Sequence, residues 1–62
     1  MSREQRVAQL VAAEMPFPVA RIYILGVEAA EAAQPEYTPA GLTWFQEIWW
    51  LAGYRDATRK PQ

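Results

Sequence analysis

Apolar residues recur at helical spacing in three stretches of the chain, and prolines separate the stretches. In residues 2–15, Val7, Leu10 and Val11 fall on one side of a helical wheel, with Met15 one turn on. That i, i+3, i+4 pattern predicts an amphipathic helix. Ser2 at its start and Gln5 three residues later form a capping-box pair, in which each side chain satisfies a free backbone N–H of the other. The alanines around them favour the same state.

The second stretch, residues 18–34, begins with Pro18, a residue suited to the first turn of a helix. On a wheel Val19, Ile22, Tyr23, Gly26, Ala30 and Ala33 share one face. Arg21, Glu28 and Glu31 fall opposite, with Ile24 among them. The small residues Gly26, Ala30 and Ala33 would let another helix approach closely. The segment from Val19 to Leu25 is also rich in β-branched residues, which suits a short strand followed by a turn at Gly26. The clean sorting of charge favours one continuous helix.

The third stretch starts at Thr38 or Thr43 and runs to about residue 57. Thr38 before Pro39 fits a cap and first helical residue, and Thr43 with Gln46 offers a second capping box. Leu42, Phe45, Ile48, Trp49 and Ala52 make one stripe, which Trp44 and Leu51 widen to half the cylinder. Gly53 is expected to start fraying, because glycine weakens a helix interior. The expected fold is therefore mainly α, a small three-helix arrangement in one domain spanning residues 1–62, with 58–62 a flexible tail. The alternative is α+β, with the strand near Val19.

Composition sharpens what such a fold needs. With 62 residues the core is marginal, since a chain this short buries only about 60% of its unfolded surface. Chains of this size usually add disulfides, a metal or a partner chain. No cysteine and no histidine occur, which removes disulfides, thiolate ligands and the commonest metal ligand and acid/base group. By elimination the missing support is another protein or a second copy of the chain.

Net charge is −1, so the cationic surplus that nucleic-acid binding requires is missing. From Ile22 to Tyr54 every charge is acidic, namely Glu28, Glu31, Glu36 and Glu47. That pattern reads as a solvated face, or as an acidic body turned to a basic partner. No apolar run is long enough to span a membrane, and MSREQR is not followed by the apolar segment of a signal peptide. Cytoplasmic residence is the matching expectation.

Five of the eight aromatic residues lie in eleven positions: Trp44, Phe45, Trp49, Trp50 and Tyr54. Phe45, Trp49 and Trp44 suffice to fill the centre of three helices. Trp50 and Tyr54, four residues apart, remain as surplus on the side carrying Thr43, Gln46 and Glu47. An aromatic pair among polar residues resembles an interface anchor. The expected partner-binding residues are Trp50, Tyr54, Glu47, Gln46 and Trp44. Base stacking would need interleaved basic residues, and a membrane-surface helix would need cations flanking both ends, so both readings are disfavoured.

No catalytic residues, cofactor-binding motif, metal ligands or small-molecule substrate site are expected. Glu28 and Glu31 are adjacent on a helix but face outward with nothing beside them to activate. Glu14 is expected to pair with Arg21 or Arg3. The isolated glycines form no phosphate-binding loop. The expectation is a non-catalytic interaction module that docks an aromatic-rich C-terminal helix on a partner. In size and style it resembles phage-encoded accessory proteins that inhibit host machinery. A structural subunit of a homo-oligomer, or of an assembly such as a phage particle, is the alternative.

Overall fold

A computed structural model describes residues 2–59. It contains three helices, α1 (Arg3–Ala12), α2 (Phe17–Glu31) and α3 (Trp44–Arg59), and no strand among the described residues. The fold is thus mainly α, and the strand alternative at residues 19–25 is overturned: that segment lies wholly within α2.

Capping sets where the helices begin. Ser2 Oγ accepts from Gln5 N–H and Gln5 Oε1 accepts from Ser2 N–H, so the first capping box is formed. Thr43 and Gln46 make the same reciprocal pair at 2.9 and 3.2 Å ahead of α3. The third helix therefore starts at Trp44. Thr38 stays in the connecting loop, where its hydroxyl donates to Glu47 at 3.4 Å.

Both preceding helices end in the same way. Glu14 and Ala33 occupy the left-handed region, with φ of 72° and 57°. Met15 N–H reaches Leu10 O and Glu14 N–H reaches Val11 O; Gln34 N–H reaches Ala29 O and Ala33 N–H reaches Ala30 O. These are Schellman closures, usually built on glycine. A proline follows each, Pro16 and Pro35, and prevents continuation. This closure ends α1 at Ala12, earlier than residue 15.

The centre of the fold is α2, packed on both sides. Against α1 it places Ala20 and Ile24, which bury Val7 between the helices. Leu10, Met15 and Tyr23 cover that cluster. At the rim Arg3 pairs with Glu28 at 2.8 Å and Arg6 with Glu31 at 2.7 Å. Two sequence expectations change here. Ile24 is core, and Glu28 and Glu31 are not a free solvated face, because the side of α2 that carries them is the α1 interface. Arg3 has Glu28, not Glu14, as its partner.

Against α3 the approach is closer. A Cβ added to Gly26 would stand 2.0 Å from the Trp50 carbonyl oxygen, and one added to Gly53 would stand 2.0 Å from the Tyr23 carbonyl oxygen. Contact of Gly26 with Trp50 and of Gly53 with Tyr23 requires α2 and α3 to run antiparallel. Backbone lies on backbone at two points, within reach of Cα–H···O contacts. Gly53 is therefore a packing residue in the middle of α3, and the helix continues past it to Arg59 instead of fraying. Thr58 and Arg59, expected in a tail, are helical; Lys60 to Gln62 lie outside the described residues.

No Cα of α1 comes within 8 Å of one in α3. The helices form an open layer with two separate interfaces, and no shared centre exists for Phe45 and Trp49 to fill. No helix among the described residues is long and apolar enough to cross a membrane.

Candidate protein-contact surface

The phase of α3 about its own axis follows from Gly53. Because this glycine must face α2, Trp50 one turn earlier faces α2 as well. Trp50 is 3% exposed and belongs to the core. It lines a cleft with Leu25 and Ala29 of α2 and with Tyr37 and Pro39 of the loop. Its indole stacks on the Tyr54 ring, with centroids 5.4 Å apart and planes 20° apart. The Tyr54 hydroxyl donates to the carbonyl oxygen of Gln34, which ties α3 to the end of α2.

These facts correct the expected anchor. Trp50 is not a surface residue, and the half-buried Tyr54 uses its hydroxyl inside the chain. The side of α3 carrying Thr43, Gln46 and Glu47 is partly covered by the loop that returns from α2. Gln46 spends its side chain on the Thr43 cap, and Glu47 accepts from Thr38. Of the five residues, only Trp44 is fully available, at 72% exposure.

Trp44 has company on the opposite side of the helix. Phe45 is 49% and Ile48 52% exposed. Trp44 meets Phe45 edge-on at 6.0 Å, and Phe45 meets Trp49 edge-on at 6.4 Å. Half-buried Leu51 and Ala52 extend this apolar stripe by one turn. An aromatic surplus on α3 is present, as the sequence implied, but on the face turned away from α2. The i, i+4, i+8 spacing of Trp44, Ile48 and Ala52 marks that face in the sequence; what was missing was the glycine that fixes which stripe goes inward.

A second apolar feature lies elsewhere. Val7, Ala8, Val11 and Phe17 line a shallow cleft of about 330 Å³ between α1 and the start of α2, with Arg3, Glu4 and Arg21 around it. Its lining is apolar with mixed charge, and Phe17 and Val11 are its large exposed apolar side chains.

Electrostatically the chain is largely self-paired. Besides the two α1–α2 bridges, Arg55 pairs with Glu36 at 2.7 Å and Arg59 with Asp56. Glu28, Glu31 and Glu36 thus each carry an arginine from outside the acidic run, so three of the four acidic side chains of that run are paired within the fold. Arg6 lowers the Glu31 carboxyl below its ordinary pKa by hydrogen bonding. Tyr23 donates to Asp56, and burial followed by that bond pushes the phenol up to about 12. Among the described residues no three acidic, histidine or cysteine side chains gather as a metal site.

The chain matches no protein-family model, no curated protein and no solved structure.

Proposed function

We propose that this protein is a non-catalytic interaction module that docks on a partner protein through the outer face of α3. The observation that carries the reading is the exposure of Trp44, Phe45 and Ile48 side by side on a helix whose other side is fully used in folding. Exposed large apolar groups grouped in this way mark contact surfaces more often than solvated ones. Tryptophan is also the residue type most enriched among interface hot spots.

The mode of contact is helix-in-groove, with anchors at Trp44, Ile48 and the turn that follows. Trp44 remains a partner-binding residue, while Trp50 and Tyr54 act indirectly by fixing the phase of the helix. A small accessory or inhibitor protein that occludes a surface on larger machinery would need no more chemistry than this.

The experiment is a comparison of the wild-type chain with a Trp44→Ser, Ile48→Ser variant as baits in a cell lysate, with Thr58→Ala as control. A partner retained by wild type and control, and reduced about tenfold or more by the double variant at unchanged helical circular dichroism, supports the reading. Identical retention by all three contradicts it.

A further inference from the structure

We infer that the partner seated on the outer face of α3 is a second copy of this chain, its α3 antiparallel to the first across a twofold axis at Ile48. The inference rests on the interaction-module reading and names the occupant.

The first argument is self-complementarity. Four residues before Ile48 stands Trp44, and four after it stands Ala52; three before stands Phe45, and three after stands Leu51. In an antiparallel pair centred on Ile48 each of these meets its counterpart at the same level. The largest side chain of the stripe then lies beside the smallest, and Phe45 lies beside Leu51. Large-against-small layering is what lets two helices close without voids. A twofold contact also needs one surface that complements itself, which this stripe provides.

The second argument is charge. The stripe ends at Arg55, with Arg59 one turn beyond, and Arg55 is paired with Glu36 in the same chain. Three further arginines are paired internally and the net charge is −1, so little repulsion opposes two copies meeting. A basic or acidic partner would find few unpaired charges near this face to recognise. Antiparallel helices also oppose their dipoles favourably.

The third argument is area. An aromatic side chain carries roughly 150–250 Å², so Trp44, Phe45 and Ile48 together leave on the order of 350 Å² open. Two copies would cover on the order of 700 Å² from these side chains alone. Half-buried Leu51 and Ala52 add less than these, so the total stays below the roughly 1,200 Å² at which standard specific interfaces begin. The pair is accordingly reversible and dependent on concentration.

The absence of native cysteine allows a direct test with single-cysteine variants of the full chain under mild oxidation. Ile48→Cys places two thiols at the axis, whereas Ala52→Cys places them about 12 Å apart in an antiparallel pair, beyond disulfide reach. Ile48→Cys is expected to cross-link at least tenfold faster than Ala52→Cys and than an exposed Thr58→Cys control. Wild-type sedimentation should move toward twice the monomer mass as concentration rises from about 10 to about 500 µM, as expected of a weak, reversible pair. Equal rates for all three variants, fast linking by Ala52→Cys as in a parallel pair, or a monomer throughout would overturn the proposal. If the chain stays monomeric while capture in a lysate still depends on Trp44 and Ile48, the second copy is excluded and the interaction module stands. Loss of both removes the module as well.

Discussion

Gly26 rests on the backbone of Trp50 so closely that a Cβ there would stand 2.0 Å from the Trp50 carbonyl oxygen. Its counterpart, Gly53 on Tyr23, is equally tight. Helix propensity alone predicts that Gly→Ala stabilises each helix by about 1 kcal/mol. Here the obstacle is backbone, which cannot rotate away, and overpacking costs about 1–3 kcal/mol or more. Gly26→Ala and Gly53→Ala should each lower stability in urea unfolding by about 2 kcal/mol net, the upper end of the overpacking cost less the propensity gain. A gain at either site would contradict the packing described.

The helix ends predict the opposite sign for glycine. Glu14 and Ala33 hold left-handed conformations that cost a residue with a Cβ about 1–2 kcal/mol. Part of that gain is offset by the greater freedom of glycine in the unfolded chain. Glu14→Gly and Ala33→Gly should each raise stability by about 0.5–1 kcal/mol, measured by the urea midpoint at constant slope. A fall would mean these Schellman closures do not persist in solution.

Alkaline pH should loosen the α2–α3 contact. The Tyr23 phenol is pushed up to about 12, chiefly by burial and then by its bond to Asp56. Because the folded value lies above the ordinary 10, its stabilising effect is complete below pH 10 and is lost as pH rises toward 12. Tyr23→Phe should flatten the decline of stability over that range. An unchanged decline in the variant would assign it to other groups.

Acid should act at the other interface. Arg6 holds the Glu31 carboxyl below its ordinary pKa, so that contribution is present at neutral pH and is lost as pH falls through the lowered value. Both side chains are partly exposed, which limits the pair to about 0.2–1 kcal/mol. A double-mutant cycle of Arg6→Ala and Glu31→Ala should return a coupling of that size at low salt, reduced at high salt. Zero coupling at low salt would remove the bridge as a contributor.

Much of this fold is legible in the sequence because its punctuation is local. Ser2 with Gln5 and Thr43 with Gln46 mark two helix starts, and prolines mark the breaks between helices. Of the small residues expected to admit a close neighbour, Gly26 does so, whereas Ala33 lies beyond the end of α2 and is exposed. What failed was orientation. Almost every side of α3 carries an apolar or aromatic residue, so its periodicity does not choose an inward face. Gly53 chooses it, because Gly26 needs backbone opposite and an antiparallel partner returns the same contact one turn away. Read as a packing residue instead of a fraying point, Gly53 places Trp50 in the core and Trp44 outside. Ile24 was misplaced for a related reason: acidic residues around it suggested water, whereas Arg3 and Arg6 lay across the interface. Long-range ion pairs of that kind leave no spacing signature within one helix.

The division of α3 into a folding side and a contact side is tested most directly by urea unfolding of Trp44→Ala and Trp50→Ala in dilute solution. Loss of the buried indole at Trp50 should cost about 3–5 kcal/mol, enough to leave a chain this small largely unfolded. Loss of the exposed indole at Trp44 should change stability by less than about 0.5 kcal/mol. If Trp44→Ala is the variant that unfolds and Trp50→Ala the one that keeps its helices, the two faces have been assigned the wrong way round.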